Sequence, residues 1–236
     1  MSRTMQAAKR RKRVAPPPKA NHTWFWIVGI LVVIGLAAVI AVSSSGGGNT
    51  AKATAHETGK VSVEGTPLAT LTDPQNDSAV GDSIPSLSGV TFDGSPMHIG
   101  PTGKPQVIVF LSHSCPHCQA EVPRIVALHK AGKLAGVDVT AVTTNTSPDL
   151  PNYPPSAWLK REHWPYPVMV DSTTFTAAQA YGLPGFPYFV FVDANGNVAG
   201  RLAGEMPPSQ LATLFQELRD GKKITPPSAG ASTPAP

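Results

Sequence analysis

Hydrophobic and polar positions fall into regular periods only between Gly81 and Gly221. Val107–Leu111 (VIVFL) is an unbroken apolar run, the pattern of a strand buried on both faces. From Pro116 to Lys130, Val122, Ile125, Val126 and His129 recur at helical spacing. VDVTAV at 137–142 predicts a second strand, Ser156–His163 a helix behind Pro154-Pro155, and Val168–Val170 a short strand. Thr173–Tyr181 predicts a helix carrying Phe175, Ala178, Gln179 and Ala180 and ended by Gly182. Tyr188–Asp193 and Val198–Leu202 predict two strands joined by Ala194-Asn195-Gly196-Asn197, where Asn-Gly signals a hairpin. Ser209–Arg219 predicts the last helix. Strand–helix–strand units closed by a hairpin and a helix imply an α/β sandwich with a mixed central sheet and flanking helices.

Outside that span the pattern changes character. Residues 24–42 (WFWIVGILVVIGLAAVIAV) form a 19-residue run without a charge, close to what a ~30 Å hydrocarbon core requires at ~1.5 Å per residue. Trp24 and Trp26 stand at its edge, where amphipathic rings favour the interface. Residues 43–80 read as a flexible linker, small and polar at first; VSVEG and ATLTD have some strand character without defining a stable element. Residues 222–236, rich in Pro, Ala and Ser, read as a disordered tail.

Charge assigns the topology. The net charge is +4, yet Arg3, Lys9, Arg10, Arg11, Lys12, Arg13 and Lys19 all precede residue 24, and the remainder holds 12 basic against 15 acidic residues. The basic cluster is therefore a cytoplasmic segment, 1–23, that sets orientation, and 24–42 is a single-pass anchor with everything after it extracytoplasmic. A cleaved signal peptide competes, with Ala41 and Ser43–Ser45 as small residues at the cut; it exports the same chain. With no basic face on the domain, nucleic acid is not an expected partner.

The chain has two cysteines, Cys115 and Cys118, in Ser114-Cys115-Pro116-His117-Cys118, where a buried strand feeds a helix. Unpaired N–H groups at a helix N-terminus stabilise a thiolate at Cys115. Pro116 suits the first turn, where its missing N–H has no helical partner. His117, when protonated, adds positive charge beside the sulfurs. Cys118, one turn further in, is placed to resolve a mixed disulfide formed at Cys115. A structural staple, a zinc half-site and an inert thiol pair are the competing readings. So short a loop contributes only about 2 kcal/mol as a staple, and the second ligand pair of an ordinary zinc site is missing. No metal and no cofactor is expected.

Cys115-Pro-His-Cys118-Gln-Ala-Glu121-Val-Pro123 resembles the Cys-x-x-Cys-x-x-Glu-x-Pro signature of the membrane-anchored TlpA/ResA-like branch of the thioredoxin superfamily. Gly81–Pro85 with Phe92-Asp-Gly94 is similar to that branch's opening strand and hairpin, and Tyr181-Gly-Leu-Pro-Gly-Phe-Pro187 to its second signature. The resemblance covers Gly81 to about Gly221 and implies a thioredoxin-like sandwich, preceded here by one transmembrane helix. It further implies a cis peptide before Pro187, a substrate chain pairing with the backbone at Phe186 and Pro187, a bend of the helix at Pro123, and a partly buried Glu121 that moves protons. A solvated helix glutamate is the alternative for Glu121.

Three departures stand out. The tryptophans usual before the first cysteine are replaced by Phe110-Leu111-Ser112-His113-Ser114, Val109 stands where thioredoxins bury an acid, and Pro-His is the dipeptide of strongly oxidising DsbA proteins. His113 reads as a surface histidine, with a tuning role as the alternative, and Trp158 and Trp164 as packing under the sheet. The expected function is extracytoplasmic thiol–disulfide exchange on exported proteins, as a reductase or general oxidoreductase recycled by a membrane redox partner. A DsbA-like oxidant and a non-enzymatic thioredoxin-like binding module are the alternatives.

Overall fold

The computed structural model describes residues 55–226. The expected anchor at 24–42, the basic segment before it and most of the Pro-rich tail lie outside the described residues. No helix among the described residues is long and apolar enough to cross a membrane.

Strands β1 (Ser62–Glu64), β2 (Ser86–Val90), β3 (Pro96–Ile99), β4 (Gln106–Leu111), β5 (Asp138–Thr143), β6 (Val168–Val170), β7 (Tyr188–Val192) and β8 (Val198–Ala203) form one mixed sheet. Helices α1 (Pro116–Lys130), α2 (Pro155–Arg161), α3 (Thr176–Ala180) and α4 (Pro208–Arg219) connect or close them. The order is β1-β2-β6-β5-β4-β7-β8, with β3 also paired to β2. β4, β5 and β6 run parallel; β7 and β8 are antiparallel neighbours. The architecture is the thioredoxin-like sandwich.

The period of two in β4 separates two cores. Val107, Val109 and Leu111 face α1, α4 and Trp158, whereas Ile108 and Phe110 face Tyr181, Tyr188 and the chain that precedes β2. Every residue of β4 is buried, because helices or covering chain occupy both faces. Paired on one side with β5 and on the other with β7, β4 carries its C-terminal end, and with it the cysteines, to the upper rim of the sheet.

Several boundaries differ from the sequence reading. Residues 62–80 are not linker: β1 pairs with β2, and Leu68, Leu71 and Ala79 are buried in the second core. This strap is stitched down by Leu68 N–H to Ala180 O (2.9 Å) and Leu71 N–H to Gly182 O (3.0 Å). Asp77 anchors it further through an ion pair with the buried Arg201 of β8. A strap that buries a few isolated leucines has no period, so its small, polar stretches imitate a linker. The tail also starts later than Lys222: Ile224 is buried, and its N–H reaches Ala199 O (3.3 Å). α3 starts at Thr176 and not at 173, because Phe175 adopts a left-handed conformation (φ 59°) and the buried Asp171 carboxylate accepts the N–H groups of Ala177 and Ala178. α2 stops at Arg161, and His163 beyond it is also left-handed (φ 56°). His129 is exposed, not part of the apolar stripe, and its Nδ1 lies 3.0 Å from the Tyr166 hydroxyl.

Candidate functional site

The site is built where β4 ends and α1 begins. Ser112 leaves the sheet, Cys115 is the extended residue that caps α1, and Pro116 opens the helix. No side chain caps this terminus, so its first N–H groups face the cysteine end of the loop unpaired by the helix. Ser112 O accepts the Cys115 N–H (3.2 Å), and Gln119 Nε2 donates to His113 O (3.1 Å), which tightens the turn.

The two sulfurs occupy different environments, and both are free thiols. Cys115 is partly exposed; its Sγ lies 4.0 Å from Phe186 O. The Phe186–Pro187 peptide is cis, and this loop stands opposite Cys115. Cys118 is fully buried, and the Ser112 N–H donates to its Sγ at 3.4 Å. Burial pushes the Cys118 thiol well above the ordinary cysteine range; the Ser112 N–H works against that shift, and the charges of Cys115 and Glu121 reinforce it.

Glu121 is fully buried one turn beyond Cys118. Its Oε2 accepts the Met206 N–H (3.1 Å) and an Arg124 N–H (3.1 Å), while its Oε1 has no partner. Burial pushes its carboxyl up, against the pull of the Met206 N–H and the Arg124 charge. Of the two sequence readings of Glu121, the solvated helix residue is therefore excluded. Pro123 lies inside α1, which continues through it to Lys130.

His117 is well exposed, and the hydrogen bond of its ring goes to Glu205 rather than to a sulfur: Nδ1 lies 2.6 Å from Glu205 Oε1. Glu205 Oε2 in turn accepts from Arg124 (2.7 Å), so His117, Glu205, Arg124 and Glu121 form one chain of side-chain contacts. Glu205 is held below the ordinary carboxylate range, first by the His117 hydrogen bond and then by Arg124. Neither Glu205 nor Arg124 stands out in the sequence; a contact spanning 88 residues leaves no local spacing to read.

His113 is a correction. It is fully buried, not a surface residue. The Ser147 N–H donates to Nε2 (3.3 Å), so Nδ1, 2.6 Å from Pro151 O, carries the ring proton and donates it. The loop 147–151 folds over the ring, and Tyr153 meets it edge-on with centroids 5.9 Å apart. Trp158 is buried in the first core and Trp164 packs at its margin.

An open groove of about 500 Å³ borders Phe186, the residue whose carbonyl faces Cys115. Phe186, Leu183, Phe175 and Ala178 supply its apolar lining, Asn145 a polar edge, and Thr70 of the strap one wall. Among the described residues no group of His, Cys, Asp and Glu is arranged to hold a metal ion.

A thioredoxin-like sheet that presents a Cys-x-x-Cys pair at a helix N-terminus, facing a cis-proline loop, defines the class of thioredoxin-fold proteins with a thiol–disulfide site. Residues 79–218 match the Redoxin family model, and the chain belongs to that family. It is similar to the thiol-disulfide oxidoreductase ResA of Halalkalibacterium halodurans, with 26% identity over 49% of this chain and 62% of the relative. It is likewise similar to the thiol:disulfide interchange protein DsbE of Pseudomonas aeruginosa, with 27% identity over 50% of this chain and 63% of the relative. The chain thus spans less than two thirds of either relative. The fold is shared with the crystal structure of an uncharacterized conserved protein from Geobacillus kaustophilus, at TM-score 0.54 and 18% identity over 63% of this chain and 86% of that one.

Proposed function

We propose that this chain is an extracytoplasmic thiol–disulfide oxidoreductase that acts on exported proteins through Cys115 and Cys118. The observation that carries the reading is the asymmetry of the pair: an accessible Sγ opposite the cis-proline loop, and a buried Sγ one helical turn behind it. The similarity to ResA and DsbE supports the same reading.

The exchange runs in two displacements. The Cys115 thiolate attacks one sulfur of a target disulfide; that S–S bond breaks, and the other target sulfur leaves as a thiolate that takes up a proton. Cys118 then loses its proton and attacks Cys115 Sγ, which releases the second target sulfur. The target gains two electrons, and the Cys115–Cys118 pair loses two. Burial favours the neutral Cys118 thiol, so this second step needs a local base. Glu121 supplies it, with an unpartnered oxygen and a charge that already acts on Cys118. Phe186 and Pro187 align an extended target segment beside Cys115, and the adjoining groove receives its side chains.

The run at 24–42 anchors the chain in the membrane with its N-terminus in the cytoplasm, and a membrane redox partner recycles the site. The direction is that of a reductase or general oxidoreductase. Pro116-His117 favours a DsbA-like oxidant instead, but the His117 ring is bound to the Glu205 carboxylate.

A Cys118→Ser variant expressed in its native cell is the test. It is expected to accumulate mixed disulfides between Cys115 and exported proteins; absence of any trapped partner would sink the exchange mechanism. The reduction potential separates the directions, near about −270 mV or below for a reductase and about −120 mV for an oxidant.

A further inference from the structure

We infer that Glu205 is a positioning residue for the redox site: it binds His117 and thereby sets how strongly the Cys-Pro-His-Cys loop oxidises. The inference rests on the exchange reading above and concerns what tunes that same site.

The charges around the cysteines are few. His117 and Arg124 are the cationic side chains of α1 that join the network there, and both contact one carboxylate, Glu205, at 2.6 and 2.7 Å. Arg124 also contacts the buried Glu121 at 3.1 Å. Glu205 enters from a different element, the loop between β8 and α4, whose Met206 N–H is itself tied to Glu121. The loop is thus fixed at one end by a buried hydrogen bond, and it presents the carboxylate to the histidine beside the first cysteine.

The consequence is electrostatic. A positive charge next to Cys115 favours its thiolate, which stabilises the dithiol form and makes the couple a stronger oxidant. An imidazolium paired with a carboxylate presents little net charge at the sulfur. It also has its Nδ1 committed, which turns the ring by a fixed contact rather than leaving it free to meet the sulfur. The Pro-His dipeptide in this chain therefore lacks the uncompensated charge that its sequence suggests, and the site is held on the reducing side.

The sign is cleanest below the ordinary histidine range, at about pH 5, where an imidazole is charged with or without a partner. There, removal of the carboxylate charge leaves the cation unmatched. The groups that contribute at this position are Cys115, Cys118, His117, Glu121, Arg124 and Glu205, and Glu205→Gln alters only the last of them.

The full-length protein in detergent is equilibrated with glutathione buffers at pH 5 and pH 7, as wild type, Glu205→Gln, Glu205→Asp, His117→Ala and the His117→Ala/Glu205→Gln double variant. Glu205→Gln is expected to shift the equilibrium toward the dithiol by about two- to fivefold at pH 5, the range of a partly exposed ion pair. Glu205→Asp keeps the charge and is expected to show less than half of that shift. In the His117→Ala background the Glu205→Gln shift is expected to shrink by half or more. An unchanged equilibrium in Glu205→Gln, or an equal shift with and without His117, overturns the assignment. If the wild-type pair forms no mixed disulfide and takes no electrons from dithiothreitol, the exchange reading itself falls; if it does and only the Glu205 variants disagree, the tuning role alone falls.

Discussion

Arg201 and Asp77 form a buried two-armed ion pair: Arg201 Nε donates to Asp77 Oδ2 at 2.8 Å and its NH2 group to Oδ1. The remaining guanidinium nitrogen donates to Ala69 O (2.8 Å) and Tyr181 O (3.2 Å), so one side chain of β8 satisfies both ends of the strap. Desolvation pushes the Asp77 carboxyl up, but the Arg201 hydrogen bonds, the Ala79 N–H and the Arg201 charge outweigh it and hold the carboxyl below its ordinary value. Loss of one partner strands the other charge, and Asp77→Ala is expected to cost about 3–5 kcal/mol in urea unfolding. Because the folded carboxyl titrates lower than the unfolded one, its contribution is present above about pH 4 and is lost as pH falls through the folded value. The Asp77→Ala variant is accordingly expected to show a weaker acid dependence of stability than wild type, checked by urea unfolding between pH 2 and pH 7.

Gly182 approaches the strap so closely that an added Cβ would stand 2.2 Å from Ala69 O, and its φ is +63°. Gly182→Ala combines backbone strain with a clash against main chain that cannot swing away. A loss of more than about 1 kcal/mol is expected by the same unfolding measurement. An unchanged midpoint would show that the strap is not packed there.

The two thiols should separate in reactivity. Cys115 is accessible, while Cys118 is buried and its thiol is pushed up. Iodoacetamide at pH 7–8 is expected to modify Cys115 alone in the folded protein, with Cys118 reacting only after denaturation. Peptide mass spectrometry of the alkylated chain reads the outcome directly.

Glu121 trades stability for chemistry. Its folded carboxyl is raised by burial, so ionisation in the folded state is penalised and stability falls as pH rises from the unfolded value, about 4.3, through the folded one. Glu121→Gln keeps an acceptor for the Met206 N–H and removes that penalty. The variant is expected to gain stability relative to wild type as pH rises from 4 to 7, while the resolving step, followed by decay of the mixed disulfide, slows about tenfold or more. Unchanged decay would remove Glu121 from the proton transfer.

The groove beside Phe186 gives a separable test of target recognition. Leu183→Lys places a charge on its apolar wall. Exchange with a protein target is expected to weaken several-fold in kcat/KM, while exchange with dithiothreitol, which has no chain to lay in the groove, stays within about twofold.

What could be read from the sequence follows from what is local. β4, β7 and α1 announce themselves because burial on two faces demands unbroken apolar runs, and burial on one helical face demands spaced ones. The Cys-x-x-Cys spacing shows which residues meet across one turn, and the Gly-Phe-Pro187 signature marked the loop that faces them. His113 reads as a surface residue because a single histidine has no period, and its burial depends on a loop that returns 34 and 38 residues later. The strap reads as linker for the same reason.

By itself, then, the sequence determined the order of strands and helices from β4 onward, the reactive pair and its place at a helix N-terminus, since each is fixed by spacings of a few residues. Only the tertiary structure decided which charges surround that pair. Glu205 reaches His117 across 88 residues, and Arg201 reaches Asp77 across 124. Ion pairs join whatever the fold brings within hydrogen-bond reach, and no periodicity along the chain records them.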